Sequence, residues 1–297
     1  MSVIISGASG RLGAIAAKRV LELGLPPSEL ILVTRTPDLL AKFAAHGVSV
    51  RLGDFEQPAS LGPAFAGGKS LLLIGTHGRM DRVAMHRGVM DAAVKAGVRH
   101  GIYLSFSDPA EGNPMFASET NRRIESALKE YDWDWTILRD AIYSELRLDI
   151  APIYISTGKF VTNMGAGRHA FVWRADCAAA AAAVLRSSGH GGKIYDITGP
   201  ELLGAQDYLD LLREFGGRPV ELVELSDAEH ANYVEHFQKS RNAPDWMPEL
   251  HPTTGMALRA GYMRQLTSTV KDLTGRTARS LRELFEANRD RLRFAGA

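Results

Sequence analysis

Three glycines near the start of the chain have the spacing of a phosphate-binding loop. Gly7, Gly10 and Gly13 lie between the apolar run Val3–Ser6 and a stretch of helical periodicity from about residue 12. In such a loop the first glycine allows a sharp turn, the second lets backbone approach a pyrophosphate, and the third lets the helix pack closely. The helix N-terminus adds free N–H groups and a positive dipole end. The pattern predicts a dinucleotide site, and a tight turn without a ligand is the alternative.

Two arginines indicate which dinucleotide the loop would bind. The second apolar run ends at Thr34 and is followed by Arg35, where an NAD site would place a carboxylate for the ribose 2′-OH. A cation at this position suits the 2′-phosphate of NADP instead, and Arg11 in the glycine loop can reach the same group. These residues favour NADPH as the cofactor. A solvated surface charge is the alternative for each of them.

The residues after the fourth apolar run would pass beside the ribose and nicotinamide, because ligands bind at the carboxyl ends of parallel strands. They are Gly75, Thr76 and His77. His77 could donate a proton, although a loop histidine is more often a polar surface residue. The complete set of residues predicted to bind the cofactor is Gly7, Ser9, Gly10, Arg11, Leu12, Gly13, Arg35, Asp54, Phe55, Gly75 and Thr76.

The acid–base pair of ordinary short-chain dehydrogenases is missing from the sequence. Those enzymes place Tyr-x-x-x-Lys on the helix after the fifth strand, where the tyrosine transfers a proton and the lysine lowers its pKa. No tyrosine here has a lysine at that spacing, and Tyr143, followed by Arg147, comes after the sixth strand. Reducing a simple ketone without a proton donor is costly. The sequence therefore favours acceptors that stabilise negative charge or start positive: quinones, conjugated enones, azo compounds and triarylmethane cations.

These candidate residues need a doubly wound parallel α/β sheet of the Rossmann type to bring them together. Short runs rich in Val, Ile and Leu alternate with helical stretches as far as about residue 138, which is the pattern of a parallel sheet with helices on both faces. We predict strands at residues 3–6, 30–34, 48–52, 70–74, 101–105 and 135–138. We predict helices at about residues 12–23, 38–46, 81–96 and 116–131.

Beyond residue 139 the alternation weakens. Asp176 could cap a helix through the six alanines 178–183, which would pack closely on a neighbour, and residues 193–198 read as a strand. We predict an NADP-binding Rossmann domain at 1–140, a mixed segment at 141–198 that completes the sheet and cleft, and a smaller, mostly helical substrate-covering lobe at 199–297. Eight residues of that lobe would form either a mobile lid or its small core: Tyr233, His236, Phe237, Trp246, Met247, Met256, Tyr262 and Met263.

The overall composition argues against several function classes. The chain has 35 Lys and Arg against 34 Asp and Glu, and a net charge of +1 creates no field that attracts nucleic acid or an acidic membrane. The single cysteine, Cys177, leaves no CxxC motif, and no apolar stretch reaches about 18 residues. We expect a cytoplasmic enzyme with a small aromatic substrate and with no metal, nucleic-acid partner or membrane span. Homo-oligomerisation stays open.

Several short motifs along the first two hundred residues carry a family resemblance. They are the glycine loop and the residues at 33–37, 53–55, 97–100, 135–139 and 143–145. Together they resemble the NmrA-like family of atypical short-chain dehydrogenase/reductases, in particular its quinone oxidoreductase and triphenylmethane reductase subgroup. The resemblance implies that Asp54 and Phe55 recognise the adenine, with a turn role for Asp54 as the alternative.

The same resemblance implies where the nicotinamide pocket lies. Members of the subgroup often carry His where this chain has Asn121, and Tyr143 would either stack on the substrate or fill the core between sheet and lobe. The implied pocket residues are Thr76, His77, Ser105, Phe106, Asn121 and Tyr143.

Two functions from different classes follow from these observations. The first is an NADPH-dependent reductase that transfers a hydride to a quinone-like or other conjugated aromatic acceptor without a Tyr-x-x-x-Lys pair. The second is a non-catalytic NADP(H)-binding redox sensor of the NmrA type, which would also lack that pair. An isoflavone or lignan type of reductase is related by fold, but the lysine expected in that group is not evident near residues 118–126.

Overall fold

The computed structural model describes residues 2–75, 81–241 and 251–293. Seven parallel strands form the central sheet, and their order across it is β3-β2-β1-β4-β5-β6-β8. Two further strands, β7 and β9, pair in parallel as a small separate sheet. The strand bounds are β1 (Val3–Ser6), β2 (Leu30–Thr34), β3 (Ser49–Leu52), β4 (Ser70–Ile74), β5 (His100–Phe106), β6 (Asp134–Asp140), β7 (Lys159–Thr162), β8 (Lys193–Ile197) and β9 (Glu221–Glu224).

Helices cover both faces of the large sheet and build the C-terminal lobe. No helix within the described ranges is long and apolar enough to cross a membrane. The helix bounds are α1 (Arg11–Glu22), α2 (Ala41–Ala45), α3 (Leu61–Phe65), α4 (Arg82–Lys95), α5 (Ser118–Leu128), α6 (Ser144–Thr157), α7 (Arg174–Arg186), α8 (Ala205–Gly216), α9 (Asp227–Arg241), α10 (Pro252–Arg259), α11 (Thr269–Thr274), α12 (Leu281–Ala287) and α13 (Arg289–Leu292).

The predicted doubly wound Rossmann-type fold is confirmed. Helices α1 and α7 pack on one face of the sheet and α3, α4 and α5 on the other, so that β1, β2 and β4 are buried on both sides. This burial explains why those strands read as continuous apolar runs. Strand order reverses between β1 and β4, and an open α/β sheet binds its ligand at such a switch point, beyond the carboxyl ends of the strands.

The alanine-rich segment forms α7 and packs closely against α1, as predicted. Ala178 and Ala180 are fully buried there, because alanine allows two helix backbones to approach. Asp176 was predicted to be the N-cap of this helix, and that position was wrong by about one turn. Trp173 is the N-cap residue of α7, and Asp176 lies inside the first turn, where it accepts a 2.6 Å hydrogen bond from Arg279.

A second hydrophobic core joins helices of the predicted C-terminal lobe to the segment at 141–198 that precedes it. It is built from α6, β7, α8 and α12, with Phe160, Tyr208 and Phe285 at its centre. Phe237 and Met263, two of the lid-or-core residues, are buried in this cluster, which favours the core role for them. Trp246 and Met247 lie outside the described residues.

Candidate cofactor and substrate site

The glycine loop forms a cradle of backbone atoms in which side chains at Gly10 and Gly13 would crowd the chain. Gly7 has φ +61°, a left-handed conformation that favours glycine. A Cβ atom on Gly13 would lie 2.5 Å from the Gly7 carbonyl oxygen, and one on Gly10 would lie 3.1 Å from the same atom. Gly10 is the N-cap of α1 and supplies no side chain to bond the first-turn N–H groups. These N–H groups and the adjacent cradle fit a pyrophosphate.

A hydroxyl cluster ties this loop to the end of β2. The Ser9 and Thr34 hydroxyl oxygens are 2.6 Å apart, and the Thr36 hydroxyl donates to Ser9 Oγ at 3.2 Å. The Thr36 backbone N–H also donates to Thr34 Oγ1 at 3.1 Å. Arg35 stands between the two threonines and is thereby held beside the loop. Thr34 and Thr36 were not among the predicted site residues, although two threonines flanking a strand-end arginine were a visible signal.

The two arginines predicted to read the cofactor phosphate differ in their surroundings. Arg35 is exposed and forms no hydrogen bond or ion pair within the described part of the chain. Arg11 has a 74% exposed side chain and lies 3.3 Å from a carboxylate oxygen of Asp149 in α6. The other oxygen of Asp149 accepts from Arg291 at 2.9 Å. A phosphate group would therefore meet Arg35 directly, whereas Arg11 would first exchange its bond to Asp149.

Asp54 and Phe55, which follow β3, differ in their surroundings: Asp54 lies in a turn and Phe55 in the core. Asp54 accepts hydrogen bonds from the Glu56 backbone N–H at 3.0 Å and from the Gln57 side chain at 3.3 Å. The alternative role of Asp54 as a turn residue is thus present in the structure. Phe55 is buried and meets the ring of His86 edge-on, with the ring centroids 6.1 Å apart. Adenine recognition by the Asp54–Phe55 pair stays a prediction.

The end of β4 is backed by a histidine that the sequence analysis did not single out. A Cβ atom on Gly75 would lie 2.8 Å from His86 Nε2, so glycine is required for this close approach. His86 donates from Nδ1 to the Arg82 carbonyl oxygen at 2.6 Å, and burial lowers its pKa to about 4. The imidazole is therefore neutral at pH 7. Thr76 and His77, the remaining predictions at this strand end, lie outside the described residues.

Helix α5 directs Asn121 and Glu125 toward β5, at the four-residue spacing of the missing Tyr and Lys. Asn121 accepts from the Tyr103 hydroxyl at 2.7 Å and donates to the Ala117 carbonyl at 2.8 Å. Glu125 accepts from the Ser105 hydroxyl at 2.6 Å. Both side chains are buried in these bonds. Asn121 and Ser105 were predicted to line the pocket. In the structure, both side chains form hydrogen bonds to other residues of the protein.

The end of β6 carries the last predicted pocket residue, Tyr143. Its hydroxyl donates to Asp140 Oδ2 at 2.8 Å, and the Arg174 guanidinium lies 4.8 Å from the ring centroid. Burial raises the pKa of Asp140 to about 7 despite the bond from Tyr143. The phenol hydroxyl thus points into the protein, which favours a wall or core role for Tyr143. Phe106, at the end of β5, is partly buried against the lobe core.

The glycine cradle at the switch point of a parallel sheet defines a dinucleotide-binding α/β protein. A model of the NAD(P)H-binding family matches residues 7–188. The chain is 30% identical over 290 residues to quinone oxidoreductase 2 of Escherichia coli (strain K12), an alignment that covers 96% of this chain and 99% of that protein. The chain belongs to the NAD(P)H-binding family and, within it, to the NmrA-like atypical short-chain reductases that its motifs resemble.

Other relatives and solved structures agree with this assignment. NAD(P)H azoreductase of Xenophilus azovorans is 26% identical, with 96% of this chain and 97% of that protein covered. The crystal structure of NADPH-dependent quinone oxidoreductase from Escherichia coli complexed with NADPH superposes with a TM-score of 0.88 at 30% identity, covering 96% and 99% of the two chains. Citrobacter sp. triphenylmethane reductase complexed with NADP(H) gives 0.83 at 27% identity, covering 97% and 99%.

Proposed function

We propose that this chain is an NADPH-dependent reductase that transfers a hydride to a quinone-like or other conjugated aromatic acceptor without a Tyr-x-x-x-Lys pair. One observation carries the proposal. At the spacing of that pair, α5 directs Asn121 and Glu125 toward β5, and both are engaged in buried hydrogen bonds. By their names, the relatives reduce a quinone, an azo compound and a triphenylmethane dye. All three are conjugated acceptors.

NADPH supplies the hydride when it is bound. The chain's own residues hold it: the glycine cradle and the α1 N-terminus suit the pyrophosphate, and the exposed Arg35 suits the 2′-phosphate. Arg11 becomes a second phosphate ligand when it leaves Asp149. With the phosphates at the switch point, the reactive end of the cofactor would lie beyond β4, β5 and β6, near the partly buried rings of Phe106 and Tyr143.

The chemistry of the acceptor follows from the bonds that the polar residues already make. Asn121, Ser105 and the Tyr143 hydroxyl each have a partner inside the protein, so none is poised to donate a proton to an alkoxide. A quinone spreads the incoming charge over two oxygens and a ring, and a dye cation is neutralised by it. Such acceptors need orientation against the cofactor rather than a dedicated acid.

Steady-state oxidation of NADPH with a panel of acceptors tests the proposal. The panel contains a benzoquinone, a naphthoquinone, an azo dye, a triarylmethane dye and a simple aliphatic ketone. We expect turnover with at least one conjugated acceptor, none with the ketone, and a preference for NADPH over NADH. Loss of turnover in the Gly13→Ala variant controls for reaction outside the cradle.

The same experiment separates the sensor function. A protein that binds NADP⁺ and NADPH with different affinities in calorimetry, yet accelerates no acceptor of the panel above background, is not a reductase. That result would overturn the proposal in favour of a redox sensor.

A further inference from the structure

Two non-glycine residues in the described structure have positive φ, and they are bonded to each other. Asp108, with φ +50°, follows β5, and Met263, with φ +58°, follows α10. The Met263 backbone N–H donates to Asp108 Oδ2 at 2.8 Å. Left-handed backbone is unfavourable for such residues and persists only where surrounding contacts fix it, often at functional sites. The bond joins the end of a sheet strand to the lobe.

A buried histidine holds the other side of Met263. His169 Nδ1 donates to the Met263 carbonyl oxygen at 2.7 Å, and its Nε2 accepts from the Ile142 backbone N–H at 2.9 Å. Both nitrogens are therefore used, which requires a neutral ring in a single tautomer. Burial lowers the pKa of His169 to about 4 and so preserves that form. Ile142 follows β6, so Met263 is fixed to the carboxyl ends of two neighbouring strands.

The loop between β5 and α5, residues 107–117, is held along its length by the same part of the lobe. The Phe116 backbone N–H donates to Thr253 Oγ1 at 3.0 Å, and the Phe116 ring stacks on His251 with centroids 4.4 Å apart. Met115 is buried in the lobe core. We refer to the bonded set Asp108, Met263, His169 and Ile142 as the clasp.

We propose that Asp108 is a positioning residue for the acceptor: through the clasp it sets how closely the lobe covers the carboxyl ends of β5 and β6. It thereby sets the width of the space between the lobe and these strand ends, which we call the acceptor slot. The inference rests on the proposed function, because it assigns the slot to a flat conjugated molecule. The cofactor cradle lies at β1 and β2, on the far side of β4. The clasp lies near the strand ends that the nicotinamide end would reach, but far from the cradle that suits the phosphates. Loosening it should therefore weaken acceptor binding more than NADPH binding.

Three substitutions separate the hydrogen bond from the backbone strain. Asp108→Asn keeps an acceptor oxygen on a residue that tolerates positive φ. Asp108→Gly relieves the strain and removes the acceptor, and Asp210→Asn is the matched control. Asp210 is exposed on α8, where it bonds Gln206 and lies 3.8 Å from Arg213, and no residue of the clasp lies on that helix.

The readout is acceptor affinity for the full-length protein saturated with NADP⁺, where no hydride is available and turnover does not occur. A naphthoquinone serves as the probe in calorimetry. We expect Asp108→Gly to raise its Kd by about fivefold or more, the effect of one lost hydrogen bond, while Asp108→Asn and Asp210→Asn stay within about twofold of wild type. Kd for NADPH should rise less than Kd for the acceptor in Asp108→Gly and stay unchanged in the other two.

Hydrogen exchange and steady-state kinetics complete the test. The Met263 amide should exchange faster in Asp108→Gly only, and KM for the acceptor should rise more than kcat falls. Faster exchange with unchanged acceptor Kd would make the clasp purely structural and overturn the inference, as would a wild-type complex that binds no acceptor. Failure of the proposed function is distinct: the acceptor then binds, but NADPH is not oxidised.

Discussion

Glu125 and Arg139 form a bidentate ion pair beneath the candidate substrate site. Arg139 Nε and Nη2 lie 3.0 Å and 2.7 Å from the two carboxylate oxygens, and the Glu125 side chain is only 4% exposed. The Ser105 hydroxyl adds a third bond. This arrangement places a structural pair at the end of β5, β6 and α5, where ordinary short-chain dehydrogenases carry their acid–base residues.

Removing one partner of this pair should be costly. In Glu125→Ala, Arg139 loses its bidentate partner, and breaking a fully buried pair destabilises a protein by about 3–5 kcal/mol. Because the Arg139 side chain is 25% exposed and Asp196 and Asp108 also attract it, the loss should lie near or below the lower end of that range. We expect a fall of that size in the free energy of unfolding, measured with urea. Glu119→Ala on the same helix is the control, because Glu119 pairs with Arg122 at the surface, where solvent screens the pair, and its loss should lower the free energy of unfolding far less. Equal losses in the two variants would contradict a buried role for Glu125.

Asp140 should make stability depend on pH in the opposite sense to an ordinary salt-bridged carboxylate. Its pKa is raised from 3.8 to about 7 by burial. The folded state therefore keeps the proton between about pH 4 and pH 7 while the unfolded state loses it, so this group lowers stability progressively as the pH rises through that window. The full effect is on the order of 4 kcal/mol.

The Asp140→Asn variant isolates this contribution, because the amide can still accept from the Tyr143 hydroxyl but does not titrate. We expect its free energy of unfolding, relative to wild type, to rise as the pH increases from 4 to 7. The buried histidines His86 and His169 are common to both proteins and cancel in the difference. A difference that does not vary with pH would show that Asp140 titrates normally.

The sheet was predictable from sequence because its strands are buried on both faces and punctuated by turns. The predicted runs at 3–6, 30–34 and 70–74 match β1, β2 and β4 residue for residue. Helix α6 was not predicted, because its sequence lacks a clear pattern of buried and exposed positions. It contains Pro152 and buries Leu146, Leu148 and other side chains on several sides, so it lacks the single apolar stripe that marks a surface helix.

The cofactor loop was predictable and the clasp was not. Gly7, Gly10 and Gly13 act within one turn of chain, where spacing alone indicates geometry. Asp108 and Met263 are 155 residues apart, and nothing local in either segment marks them as partners. The spacing of Asn121 and Glu125 also could not show that both side chains turn toward β5 rather than toward the pocket.

Gly13→Ala tests the cradle. The added Cβ would meet the Gly7 carbonyl oxygen at 2.5 Å, so the loop backbone must move. We expect a loss of about 1–3 kcal/mol in stability and at least about a tenfold rise in the Kd for NADPH in calorimetry. Gly88→Ala in α4 is the control, because its Cβ would enter open space and should stabilise the helix by about 0.5–1 kcal/mol. Unchanged NADPH affinity in Gly13→Ala would place the cofactor elsewhere.

Arg35 should determine the preference for NADPH over NADH. Its side chain is exposed beside the glycine loop and makes no ion pair within the described ranges, so a 2′-phosphate would form new charge-assisted bonds there. Losing such bonds costs about 1.5–3 kcal/mol, so Arg35→Ala should raise the Kd for NADPH by about 10- to 150-fold and leave the Kd for NADH nearly unchanged. Arg123→Ala, at an exposed position on α5, should alter neither. Parallel weakening of both cofactors would instead assign Arg35 to the adenine or the pyrophosphate, because these groups are common to NADH and NADPH.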